Sequence, residues 1–123
     1  MKKLLATLLL AGIACFAQAK ETITIIYAFG VGDPMANYDR ALVAEANKLQ
    51  DKYTFVFDVR PGAGSSIAAN YVKNTPNTVL ATSGAFWVRP NFYPNEAHNT
   101  ADFKGILPQC DDAMSIASSK YKT

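Results

Sequence analysis

The segment Thr22-Ile23-Thr24-Ile25-Ile26-Tyr27-Ala28-Phe29 is β-branched, aromatic and almost continuously apolar up to Gly30-Val31-Gly32. Such a run predicts a strand covered on both faces, as in a parallel sheet. Asp33 can cap a helix, and Pro34 suits its first turn. Met35, Tyr38, Leu42, Ala46 and Leu49 then recur at helical spacing, with Asn37, Asp39, Arg40, Glu45 and Lys48 between them. This predicts an amphipathic helix of roughly four turns. A second strand is expected over residues 53–59, a tight loop over 60–66 and a second helix over 67–73. Turn residues around Pro76 precede a third short strand, 78–82, which opens into Ser83-Gly84. Strand, helix, strand, helix, strand with short connections calls for right-handed crossovers and a mainly parallel α/β sheet. Beyond Gly84 the pattern loosens into an aromatic-rich stretch, 86–93, with a proline stop at Pro90, and then a polar loop, 94–100. Residues 103–108 and 113–117 are two further candidate strands.

The N-terminal residues follow a different logic. Met1-Lys2-Lys3 is basic, residues 4–14 are apolar apart from Thr7 and Gly12, and Ala17-Gln18-Ala19 is a small-x-small triplet. This is the pattern of a secretory signal peptide over residues 1–19, cleaved after Ala19. The apolar run falls well short of the ~20 residues that a spanning helix needs. Cys15 follows Gly12-Ile13-Ala14, but no leucine-like residue stands where a lipoprotein signal would place one, so lipid anchoring is the minor option. Cleavage removes Lys2 and Lys3 from a chain of 123 residues and leaves ten basic against ten acidic residues. The positive balance therefore belongs to the export signal, and no basic field remains to attract nucleic acid. Cleavage also removes Cys15, so Cys110 has no partner for an intramolecular disulfide. Half of the chain is hydrophobic and 18% is charged, which fits one small packed domain.

Catalytic chemistry is thinly represented. His98, the single histidine, sits in the polar loop and reads as a surface residue. Cys110 lies beside Asp111-Asp112, whose charges would raise a thiol pKa. No cluster of ligands has metal spacing, and nothing calls for a cofactor. A small secreted α/β hydrolase using Ser83 or His98 is the enzyme alternative, and it lacks a residue to orient either one. The glycine-rich turns say more. Gly30-Val31-Gly32-Asp33 and Gly62-Ala63-Gly64-Ser65-Ser66 each follow a strand and precede a helix, where free N–H groups and the helix dipole favour an anion. Ser65, Ser66 and Ser83 add hydroxyls. Any one such turn is adequately explained by the tightness of a βα connection, whereas three in succession favour a binding rim at the sheet's C-terminal edge. The loops lack both the Gly-Lys-Ser/Thr ending of a Walker loop and the three glycines of a dinucleotide fingerprint, so a small carboxylate fits better. Arg60 either completes such a site or pairs with Asp58 or another acid. Phe86, Trp87, Phe92 and Tyr93 either line a pocket wall or pack in the core, the commoner role of such a cluster.

Residues 60–69, Arg-Pro-Gly-Ala-Gly-Ser-Ser-Ile-Ala-Ala, resemble the arginine-proline-glycine loop and following helix of the Bug-type extracytoplasmic solute receptors. These are the substrate-binding components of tripartite tricarboxylate transporters. Thr82-Ser83-Gly84, Pro90 with Tyr93, Asp102-Phe103 before Ile106, and Lys122-Thr123 follow in the family's order. The resemblance implies a periplasmic receptor of the type II periplasmic-binding-protein architecture, without catalysis or cofactor. Such a receptor closes on a small organic di- or tricarboxylate and delivers it to membrane permease subunits. By the same resemblance, the turn Gly30 to Pro34 and the loop Gly62 to Ser66 would contact the ligand, with Ser83 and Gly84 alongside. Ala36 stands where the family usually has an aspartate. Family receptors have two lobes, so residues 20–123 are expected to form a partial first lobe, truncated before the second. An exposed half-domain face then implies marginal stability or self-association, and an interaction half-domain or a non-binding relic is the alternative function.

Overall fold

The computed structural model describes residues 20–95 and 98–109. The expected signal peptide with Cys15, Cys110 with its neighbouring aspartates, the candidate strand 113–117 and Lys122-Thr123 lie outside the described residues. The described chain is a small α/β domain with a three-stranded parallel sheet, order β2-β1-β3, and three α-helices. In chain order these are β1 (Glu21–Tyr27), α1 (Pro34–Leu49), β2 (Tyr53–Val59), α2 (Ser66–Asn74), β3 (Thr78–Ala81) and α3 (Gly84–Phe92). Short 3-10 turns stand at Ala63–Ser65 and Thr100–Asp102.

The central strand has the composition of a residue run buried on both faces. Ile26 and Ala28 of the β1 segment pack with Ala68, Tyr71, Val72 and Leu80 on one side. Tyr27 packs on the other side with Ala36, Ala81, Met35, Phe57 and Val59. Fully burying a side chain such as Ile26, 0% exposed, contributes about 1.5–3 kcal/mol. The register sets Tyr27 opposite both Val59 and Ala81, so all three strands end level.

Helix α1 starts as the sequence predicts: Asp33 is its N-cap, and the Asp33 Oδ1 accepts from the Met35 N–H at 3.0 Å. Its buried face differs from the expected one. Tyr38, Leu42 and Leu49 are exposed at 49%, 45% and 83%, while Ala36 and Asp39 are buried. Small Ala36 packs directly against Tyr27 and Ala81, and that close approach brings Asp39, one turn on, inside as well.

The first residues of the outer edge of β2 are covered by side chains at the end of α1 and at its C-cap, Gln50. Asn47 Nδ2 donates to the Phe55 carbonyl and Asn47 Oδ1 accepts from the Phe55 N–H, both at 2.8 Å. Gln50, one turn later, makes the same pair of 2.8 Å bonds with Tyr53. Two carboxamides thus stand in for a neighbouring strand at Tyr53 and Phe55, the start of β2.

Residues 86–93 depart from the expected loosening, because Gly84–Phe92 is a helix that contains Pro90. Pro90 has no N–H to give the carbonyl four residues back, that of Phe86, and another group supplies the bond. That group is His98, whose Nε2 lies 2.7 Å from the Phe86 oxygen. Residues 103–108, a candidate strand, carry no strand pairing. No helix of the described residues is long and apolar enough to cross a membrane.

Candidate functional site

The order β2-β1-β3 sends α1 and α2 to opposite faces of the sheet. Helix α1 leaves the C-terminal end of β1 towards β2 and α2 leaves that of β2 to cross over to β3, so that the strand order reverses between β1 and β3. Open α/β sheets bind ligands at such a switch point. Three turns meet this edge. The first closes through the Asp33 N–H on the Gly30 carbonyl at 3.1 Å and continues into the Asp33 cap and Pro34, while Gly30 and Gly32 are exposed. The third is short: Ser83 caps α3, its Oγ accepting from the Ala85 N–H at 3.4 Å, and Gly84 follows with open space around its Cα.

The second turn, between β2 and α2, is the unusual one. Gly62, Ala63, Gly64 and Ser65 have φ of 126°, 47°, 53° and 77°, four left-handed residues in succession. The two glycines accept this readily, whereas Ala63 and Ser65 each carry strain of about 1–3 kcal/mol. The loop is fastened at its end. Ser65, 1% exposed, shares a 2.8 Å hydrogen bond between its Oγ and Thr82 Oγ1, which ties it to the turn after β3. Gly64 lies against the Arg89 side chain, where a Cβ would stand 2.7 Å from Cδ. Arg60, left open by the sequence, pairs with Asp58 at 3.0 Å and spreads its guanidinium over Tyr71, 3.6 Å from the ring centre.

His98 is not the surface residue that its polar loop suggests. It is 4% exposed, stacked on Phe86 at 4.2 Å and 10°, and flanked by Phe103. A carbonyl only accepts, so Nε2 carries the proton, and in the neutral ring Nδ1 accepts from the Ser66 hydroxyl at 3.0 Å. Ser66 is itself 2% exposed. Both nitrogens are therefore spent joining α2, α3 and the following loop. Ser83 and His98, the two alternatives for a hydrolytic residue, are not bonded to each other, and the Ser83 oxygen serves its own helix.

A cavity of about 1460 Å³ opens on the α1 side of the sheet, between α1, β3 and residues 102–109. Thr82, Ser83 and Gly84 reach its wall, as do Phe86 and Trp87 of the aromatic cluster. The Gly62–Ser66 loop and the first turn stand beside the cavity rather than in its lining. Phe86 belongs to the core at 2% exposed, while Trp87, Phe92 and Tyr93 are exposed. Sequence reasoning missed the most unusual wall residue, Asp39. It is 1% exposed; Oδ1 accepts from Gln109 Nε2 at 2.7 Å, and Oδ2 has no partner among the described residues. Burial raises its carboxyl pKa, the Gln109 hydrogen bond works against that rise, and the charge of Asp33 adds to it. Tyr27, in the same wall, has its phenol pushed far above the ordinary value by burial, then by the facing Asp33 carboxylate and the charge of Asp39. The signal for Asp39 was its place in the stripe Ala36, Asp39, Val43, Ala46, which rivals the larger-residue stripe in helical spacing. Among the described residues no group of three or more His, Cys, Asp and Glu gathers as a metal site.

Compared with models of protein families, with curated proteins and with solved structures, the chain matches none.

Proposed function

We propose that residues 20–123 form a partial first lobe of an exported, type II periplasmic-binding-protein-like receptor. It binds a small organic carboxylate, a di- or tricarboxylate of the class handled by tripartite tricarboxylate transporters, and hands it to membrane permease subunits. The lobe binds without catalysing a reaction. The observation that carries this reading is the level meeting of three βα turns at the switch point of the sheet, two of them leading into helix caps and one held open by four left-handed residues. Such turns present backbone N–H groups to an anion. The Bug-type sequence resemblance adds the carboxylate and the periplasmic location after signal cleavage.

Titration calorimetry of the purified chain with a panel of di- and tricarboxylates tests the assignment. Binding is expected to disappear in Gly62→Val and Gly64→Val, checked for folding by circular dichroism. Binding that survives both substitutions unchanged refutes the loop as a contact.

A further inference from the structure

We propose that the solute taken by this cavity carries an ammonium group besides its carboxylate, and that Asp39 is the counter-charge for it. The inference rests on the carboxylate reading above and narrows it to amino acids and related zwitterions.

A buried carboxylate demands donors for its oxygens, and a charge withdrawn from water demands an opposite charge. Asp39 has one donor, the Gln109 amide at 2.7 Å, and that donor is neutral. Its second oxygen has none among the described residues. The cations nearby are engaged elsewhere or do not reach it. Arg40, next in sequence, donates to Asn37 at 2.9 Å and lies over Phe57. Of the two lysines in the cavity wall, Lys73 is paired with Asp102 at 2.6 Å, and Lys104 makes no ion pair with Asp39.

Asp39 belongs to the wall of a cavity that also holds Ser83 and Gly84, the start of α3. The wall around it is largely apolar, with Tyr27, Phe29 and Met35 close by in the fold. One cavity thus offers a helix N-terminus to an anion and an under-satisfied carboxylate to a donor. A protonated amine answers the second better than a hydroxyl does, because it brings charge as well as hydrogen bonds. The upward push on the Asp39 carboxyl fits a group that gains when a cation joins it.

The test compares succinate with aspartate, which differs from it by one amino group, and includes n-butylamine as an amine without a carboxylate. Affinities of the purified chain and of Asp39→Asn are measured by calorimetry at neutral pH. The chain is expected to hold aspartate roughly tenfold to a hundredfold more tightly than succinate, the range of a hydrogen bond to a charged group. In Asp39→Asn the two affinities become alike while succinate binding persists. Equal affinities in the unsubstituted chain overturn the inference and leave the carboxylate reading standing, and this holds even where the variant does not fold. Binding of n-butylamine without either acid supports Asp39 as an amine partner and refutes the carboxylate. Binding of none of the three overturns both.

Discussion

The bond between His98 and the Phe86 carbonyl exists because Pro90 withholds its own, and a double-mutant cycle can measure that dependence. His98→Phe keeps an aromatic ring against Phe86 and Phe103 while removing both nitrogens. Two buried groups lose their partners, the Phe86 oxygen at 2.7 Å and the Ser66 hydroxyl at 3.0 Å. Each unsatisfied group costs about 1–3 kcal/mol, so the single substitution should destabilise by about 2–6 kcal/mol. Pro90→Ala restores a backbone N–H four residues after Phe86. In the His98→Phe background that N–H takes over the orphaned carbonyl, and the double variant should recover about 1–3 kcal/mol relative to the sum of the single effects. Urea unfolding followed by circular dichroism yields the four stabilities, provided the slope is unchanged across the set. Additivity within about 0.5 kcal/mol would refute the reasoning, since it would mean that the carbonyl never depended on the imidazole.

Gly62→Ala and Gly84→Ala should part company in the same assay. At Gly62 the φ of 126° disfavours any side chain by about 1–3 kcal/mol, a larger cost than moving the exposed Ile67 tip that a Cβ would meet at 2.6 Å. Gly84 begins a helix with nothing within 4 Å of a Cβ, so alanine there should stabilise by up to about 1 kcal/mol. Equal effects at the two positions would contradict the loop conformation. Asp39→Asn should change the pH dependence of stability: with the folded carboxyl raised above its unfolded value of about 3.9, the native state holds the extra proton, so stability falls as pH climbs from there through the raised value. The advantage of the variant should therefore grow across that window in paired unfolding curves, and a constant offset would count against the burial. Asn47→Ala should cost about 1–3 kcal/mol through its two bonds to Phe55, while Asn47→Asp, which keeps only the acceptor, should fall between that variant and the unsubstituted chain.

The sheet was legible because β-branched and aromatic runs are local signals: residues 53–59 matched the second strand to the residue, and Asp33-Pro34 marked the start of α1. Helix α3 was hidden because Pro90 reads as a stop, and the group that rescues its carbonyl lies 12 residues on. Likewise His98 carries no local mark of burial, since Ser66, its other partner, is 32 residues away. The face of α1 was misjudged for a different reason. Residue size suggested Tyr38 and Leu42 for the core, but close packing on β1 selected the alanine stripe and took Asp39 with it. Of the candidate turns, the two glycines of the 62–65 loop pointed to left-handed backbone, while nothing in Ala63 or Ser65 announced that they would follow.

The pairing of Asn47 and Gln50 with β2 also governs how this domain can add to itself. The carboxamides occupy the backbone of Tyr53 and Phe55 only, so an incoming strand finds unpaired backbone at Phe57, towards the C-terminal end of β2, and along β3, the other margin of the described sheet. Two copies joined β3 to β3 would consume the β3 margins and leave only the short stretch at the end of β2 open to solution, a much reduced edge for further growth.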